Sequence, residues 1–135
     1  MIRICTIGKT KNAELRVLIN EFLGRIKRFS RIEYEETTKQ GMINSMNKNK
    51  VIIACEVNGK QFSSEEFASF LKKLEMDDVC FYIGDENGLP KEVKEKARYQ
   101  LSFSKFTFPH ELARVMLLEQ TYRGLSITKG LPYHK

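Results

Sequence analysis

Two short stretches, "VIIACEV" (51–57) and "DVCFYIG" (78–84), restrict the possible folds of this chain more than any other feature. Each has an apolar run too short for a stable helix and rich in β-branched, aromatic or cysteine residues, the pattern of a strand buried on both faces. Strands buried on both sides belong to parallel sheets, whose neighbours are joined by covering helices. The segment between the two stretches supplies such a helix. After the turn expected at "NGK" (58–60), Phe67, Phe70, Leu71 and Leu74 form one stripe, and Ser63 with Glu66 makes a capping box.

The same alternation extends in both directions. "IRICTIG" predicts a strand at about residues 2–7 closing on Gly8. Leu15, Leu18, Ile19, Phe22 and Ile26 then recur at helical spacing, with Asn12 as N-cap and Arg25, Lys27 and Arg28 in the last turns. "RIEYEE" reads as a short strand, and residues 37–50, polar and aperiodic, as a connection with at most partial helix. Beyond Gly84 come a Gly-rich turn and short helix in "DENGLPKEVKEKARYQ", a strand in "LSFSKFTF", and a long helix from near Pro109. The expectation is one α/β domain over residues 1–135, a mostly parallel sheet flanked by helices. With 41% hydrophobic residues the chain has enough for a core of that size.

No apolar run approaches the roughly 20 residues needed to cross a bilayer. "IRICTIG" directly after Met1 lacks the basic start and small-residue cleavage site of a signal peptide, so the expected location is cytoplasmic and no membrane partner is expected. Cys5, Cys55 and Cys80 are odd in number and sit in strand-like runs without ligand spacing, as reduced hydrophobes would; no metal site is expected. The net charge of +6 is uneven: 11 Lys and Arg against 5 acids in residues 1–50, 3 against 8 in 51–89, and 9 against 4 in 90–135. A basic balance favours phosphate-rich partners, which makes RNA a candidate.

In parallel α/β sheets ligands bind beyond the carboxyl ends of the strands. Three loops qualify: those after "IACEV", after "CFYIG", and at "FSKFTFPH". Gly84 and Gly88 allow close backbone approach, but the loop has neither phosphate-loop nor dinucleotide spacing and alone reads as an ordinary strand-to-helix turn. Phe103, Phe106 and Phe108 interleave with Ser104, Lys105 and Thr107, as they would also do in a buried strand with no ligand. In the last helix Arg114, Glu119 and Arg123 interrupt an apolar stretch; Glu119 and Arg123, four apart, fit a structural ion pair as well as a functional one.

"SFSKFTFPHELARVMLLEQTYRGLSITKGLPYHK" resembles the carboxyl-terminal signature of the RlmH family, formerly YbeA, and the likeness extends through "IRICTIGKTKN", "ACEVNGKQFSSEEFA" and "FYIGDENGLP". The family comprises SPOUT-class methyltransferases that modify a pseudouridine of bacterial large-subunit ribosomal RNA. The resemblance implies a carboxyl-terminal deep trefoil knot, a homodimer, and S-adenosylmethionine bent into the knot as methyl donor. Carried over by position, the donor-binding residues are Cys55, Gly84, Phe103, Ser104, Lys105, Phe106, Thr107 and Phe108. Asp85, Glu86 and Asn87 depart from the family's usual Ile-Gly-Gly loop, Cys55 replaces a common Leu, and length is missing around residues 37–50.

Transfer of a methyl group to N3 of a uracil-like ring is an in-line displacement and requires loss of the N3 proton. On the resemblance, Glu119, Arg123, Tyr133 and His134 form the reactive rim, with the tail expected to fold over the donor pocket and onto RNA. His134 or Glu119 is the candidate base, Arg123 an anion clamp, and Tyr133 a stacking platform. Arg3, Lys9, Arg25, Lys27, Arg28 and Arg31 would extend the phosphate-facing surface. Two other readings stay open: a SPOUT enzyme acting on another RNA such as transfer RNA, and a nucleotide- or RNA-binding module without catalysis.

Overall fold

The structure, a computed structural model, describes residues Met1–Lys135. Five strands form one all-parallel sheet: β1 (Ile2–Ile7), β2 (Ile32–Thr37), β3 (Val51–Gln61), β4 (Val79–Ile83) and β5 (Tyr99–Ser102), in the order β2-β1-β4-β3-β5. Both faces are covered, as the uninterrupted apolar runs require. Along β3 and β4 the pleat sends alternate side chains to opposite faces. Ile53, Val79, Phe81 and Ile83 join Ile4 in a large core beneath α1 (Ala13–Ile26), α3 (Ser64–Lys73) and α5 (His110–Thr128). Ile52, Ala54, Cys80 and Tyr82 join Cys5 in a smaller core beneath α2 (Lys39–Ser45) and α4 (Lys91–Lys96).

Local signals set several boundaries. Asn12 caps α1 by accepting from the Leu15 amide at 3.0 Å. Ser63 and Glu66 form the full capping box of α3, with bonds of 3.0 and 2.7 Å. Pro109 takes the N-cap position of α5, where its missing N–H is no loss.

Two expectations are corrected, and one is made specific. The partial helix within residues 37–50 is α2 with a following 3-10 turn, and it is not a bare connection, since it buries Met42 and Met46 against the second face of the sheet. Nor does "NGK" end β3, which continues to Gln61 with a register shift between Cys55 and Lys60 relative to β5. Gly59 is needed there because β5 crosses so closely that a Cβ would lie 2.6 Å from the Gln100 carbonyl carbon. β5 stops at Ser102, and "FSKFTF" is loop: Phe106 is 77% exposed, so its aromatic ring is not core. The alternation of residues 103–108 imitates a strand, yet no neighbouring strand pairs with it.

Candidate functional site

The carboxyl ends of β3 and β4 and the loop after β5 enclose a cleft of about 280 Å³. Cys55, Glu56 and Val57 come from β3, and Ile83, Gly84, Asp85, Glu86 and Leu89 from the end of β4 and its loop. Phe103, Ser104, Phe106, Thr107 and Phe108 form the third wall, and His110 and Ala113 from the first turns of α5 close it. Of the eight carried-over donor residues, seven line this cleft; Lys105 does not and points into solvent. Sequence reasoning missed Glu56, Lys94, His110 and Ala113. For His110 the signal was its place directly after Pro109, at a helix start facing the strand ends.

The chemistry of the walls is mixed. Burial pushes the Cys55 thiol well above its ordinary range, assisted by the Glu56 carboxylate, so it is an inert apolar surface and not a nucleophile. Glu56 pairs with Lys94 at 3.3 Å, and Glu86 stands 4.0 Å from His110. At Gly84 a Cβ would overlap the main chain of Gly88 and Leu89, so only glycine permits the turn that follows β4.

Most telling is the main chain from Phe103 to Phe108. None of its N–H or C=O groups takes part in a main-chain hydrogen bond. Ser102 Oγ donates to the Ser104 carbonyl and the Phe106 amide donates to Ser104 Oγ; the others remain free for a ligand or water. Free peptide groups beside apolar and aromatic walls are what the edge and faces of a purine require. The residues present therefore fit an adenosyl group.

Glu119, Arg123, Tyr133 and His134 do come together, but elsewhere. Arg123 Nη2 donates to Glu119 Oε2 at 2.7 Å, and Tyr133 Oη donates to the same oxygen at 2.9 Å. The Arg123 guanidinium lies 4.9 Å from the centre of the Tyr133 ring, and the Tyr133 and Tyr122 rings meet edge to face with their centres 4.6 Å apart. The hydrogen bond to Glu119 raises the affinity of Arg123 for its proton, and burial, followed by the bond to Glu119, raises that of Tyr133. Arg123 Nη1 lies 2.9 Å from His134 Nδ1, and His134 Nε2 lies 2.6 Å from Glu65 on α3. Since arginine can only donate, Nδ1 accepts and Nε2 carries the proton given to Glu65. The Nδ1 lone pair, which a base would use, is occupied.

The expectation that the tail folds over the donor pocket is thereby corrected within one chain: the tail lies against α3 and α5 and shares no residue with the cleft. Its polar contacts reach Glu65, which no local pattern pointed to. The broader basic surface is also divided. Lys9 follows β1 at the carboxyl ends of the strands, whereas Lys27, Arg28 and Arg31 lie at their amino ends, between α1 and β2. Arg3 is engaged with Glu33 and Asn49, and Arg25 with Glu21.

No helix is long and apolar enough to cross a membrane. The fold is matched among known proteins. By structure the chain is similar to a methylase-family protein from Haemophilus influenzae (TM-score 0.66, 11% identity, 99% of this chain and 70% of that one). It is also similar to a TrmH/SpoU tRNA-modifying enzyme from A. aeolicus (TM-score 0.54, 13% identity, 96% and 77%). A methyltransferase from Legionella pneumophila, solved with bound S-adenosylmethionine, aligns at TM-score 0.52 and 11% identity over 94% of this chain and 66% of that one. By sequence the chain is 41% identical to the ribosomal RNA large subunit methyltransferase H of Clostridium beijerinckii, over 99% of both chains and 157 aligned positions. The protein of that name from Coprothermobacter proteolyticus is 40% identical over 99% of both and only 137 positions, so a relative of nearly this length exists. The family model described as predicted SPOUT methyltransferase matches residues 1–134, and with that match across the sheet, the cleft and the tail, the chain belongs to the SPOUT methyltransferases.

Proposed function

We propose that this protein transfers a methyl group from S-adenosylmethionine to N3 of a pseudouridine in large-subunit ribosomal RNA, acting as a homodimer in the cytoplasm. The observation that carries this reading is the cleft at the strand ends, with its free peptide groups between Phe103 and Phe108, in a chain 41% identical to a ribosomal RNA large subunit methyltransferase. The placement of β5 beside β3, past its sequence neighbour β4, supports the family's trefoil knot.

In this reading Cys55, Gly84, Phe103, Ser104, Phe106, Thr107 and Phe108 hold the donor, with Lys105 contributing through its main chain. S-adenosylmethionine, when bound, supplies an electrophilic methyl on a sulfonium. The walls exclude water and align the methyl with its acceptor, which provides much of the rate enhancement in such a displacement. The Glu56, Asp85 and Glu86 carboxylates give the rim a negative character suited to a cationic ligand.

Glu119, Arg123, Tyr133 and His134 handle the nucleotide. Because the cluster stands away from its own chain's cleft, it serves the cleft of the partner subunit. Glu119 already accepts from Arg123, Tyr133 and Gln120, so its oxygens are engaged within the cluster. His134 is the better base, provided that Arg123 releases Nδ1; an RNA phosphate, which competes for the guanidinium, supplies the means.

The test is transfer of radiolabelled methyl to ribosomes, free large subunits and transfer RNA from cells lacking the enzyme, with the labelled nucleotide mapped. Label on a large-subunit pseudouridine supports the reading. Label on transfer RNA moves the target, and donor binding without transfer to any RNA returns the chain to a binding module.

A further inference from the structure

Arg114 is fully buried, an unusual place for a guanidinium. It leaves the second turn of α5 and enters the gap between the carboxyl ends of β1 and β2. There Nη2 donates to the Ile7 carbonyl at 2.7 Å, and Nη1 donates to Thr10 Oγ1 at 2.8 Å and Glu36 Oε2 at 3.2 Å. Glu36 in turn accepts from the Thr10 amide, the Thr10 hydroxyl and the Tyr34 hydroxyl. The Arg114 Nε–H, also buried, has no partner.

A buried ion pair with an unsatisfied donor stabilises no more than well-packed apolar residues would. What it adds is direction: a planar fork bound on two sides admits one position and one orientation. The start of α5 presents two faces, and this gives that direction a use. Phe108, His110 and Ala113 line the donor cleft. On the adjacent face Glu111 accepts from the amides of Lys11 and Asn12 at 3.1 Å each, and Arg114 holds Ile7. The same two helical turns thus build one wall of the cleft and fasten it to β1.

We propose that Arg114 is a positioning residue for the methyl donor: through Ile7, Thr10 and Glu36 it sets where α5 begins, and so where Phe108, His110 and Ala113 meet the donor. Arg114 does not itself line the cleft and touches no reacting atom. The inference rests on the donor-pocket reading above.

The experiment compares S-adenosylmethionine binding by calorimetry, and KM against kcat in the transfer assay, for the full chain and three variants. Arg114→Lys keeps the charge but loses the fork. Thr10→Val removes the hydroxyl between Arg114 and Glu36 with little change of shape. Ile26→Val trims a fully buried side chain of α1 far from the cleft and serves as the control for destabilisation alone. A misplaced wall should weaken donor binding by roughly tenfold to a hundredfold in Arg114→Lys. Thr10→Val should weaken it less, with KM for the donor raised more than kcat is lowered, while Ile26→Val binds as the parent protein does. Parental donor affinity in a folded Arg114→Lys or Thr10→Val, with only the melting temperature reduced, overturns the proposal. Should Arg114→Lys fail to fold, Thr10→Val decides. No donor binding by the parent protein would defeat the pocket reading itself, a result separable from the other two.

Discussion

His134 Nε2 meets Glu65 Oε1 at 2.6 Å, joining the tail to the first turn of α3 across 69 positions of sequence. The bond to His134 holds the Glu65 carboxyl below its usual range. A depressed folded value means that the contribution is present above the unfolded value and is lost as pH falls through the folded one. Both groups are exposed enough for solvent to screen them. Glu65→Gln should therefore leave the melting temperature unchanged while amide exchange in residues 131–135 accelerates. Unchanged exchange would assign the tail's anchorage to the Tyr133–Tyr122 contact instead.

Glu36 behaves differently because its partner is buried. Desolvation raises its pKa, but the hydrogen bonds from the Thr10 and Tyr34 hydroxyls and the Thr10 amide, with the Arg114 charge, outweigh that and lower it overall. Its stabilisation is thus complete above the unfolded value of about 4.3 and disappears as pH falls through the lower folded value. Glu36→Gln should lose about 3 kcal/mol at pH 7, as when one member of a buried pair is removed. In urea titrations the gap between variant and parent should narrow below about pH 4.

Much of this arrangement was legible in the chain and some was not, for identifiable reasons. β4 and the first half of β3, Val51–Cys55, announce themselves because burial on both faces leaves no polar position. The capping box of α3 is equally local. "NGK" misleads because Gly59 answers a tertiary demand, the passage of β5, and not a turn. "FSKFTF" misleads because alternation alone does not say whether a neighbour pairs with it. Arg114 stands out as a charge among apolar residues, yet its partners Glu36 and Thr10 lie 78 and 104 positions away, and no spacing rule connects them. The tail cluster has the same character: Glu119 and Arg123 are a helical pair, but Glu65 is found only in three dimensions.

Gly84→Ala should weaken donor binding by at least about tenfold, or ~1.4 kcal/mol, since the new methyl forces Gly88 and Leu89 out of the cleft wall. Calorimetry against the parent protein measures this directly. Equal affinity would show that the loop after β4 moves freely and does not shape the donor site.

Phe106, largely exposed at the mouth of the cleft, should be dispensable for folding but not for the donor. Phe106→Ala is expected to change stability by no more than about 0.5 kcal/mol. A several-fold rise in the donor dissociation constant would indicate that the ring closes over the bound molecule, and no rise would remove Phe106 from the donor contacts.

Tyr133→Phe isolates one hydrogen bond, the 2.9 Å contact to Glu119 Oε2. Donor binding should be unaffected while transfer to RNA slows. If transfer is unchanged, the hydroxyl only secures the tail and the ring alone matters.

α5 also acts as a ruler. At 1.5 Å per residue, its nineteen residues span about 28 Å, and the rise from His110 on the cleft wall to Arg123 is about 20 Å. A helix cannot shorten, so the Arg123 guanidinium is held apart from the cleft of its own chain. Laid antiparallel along a second α5, the same fixed length would set the far end of one opposite the near end of the other, so that the spacing which separates the two halves of the chemistry in one chain would unite them in a pair.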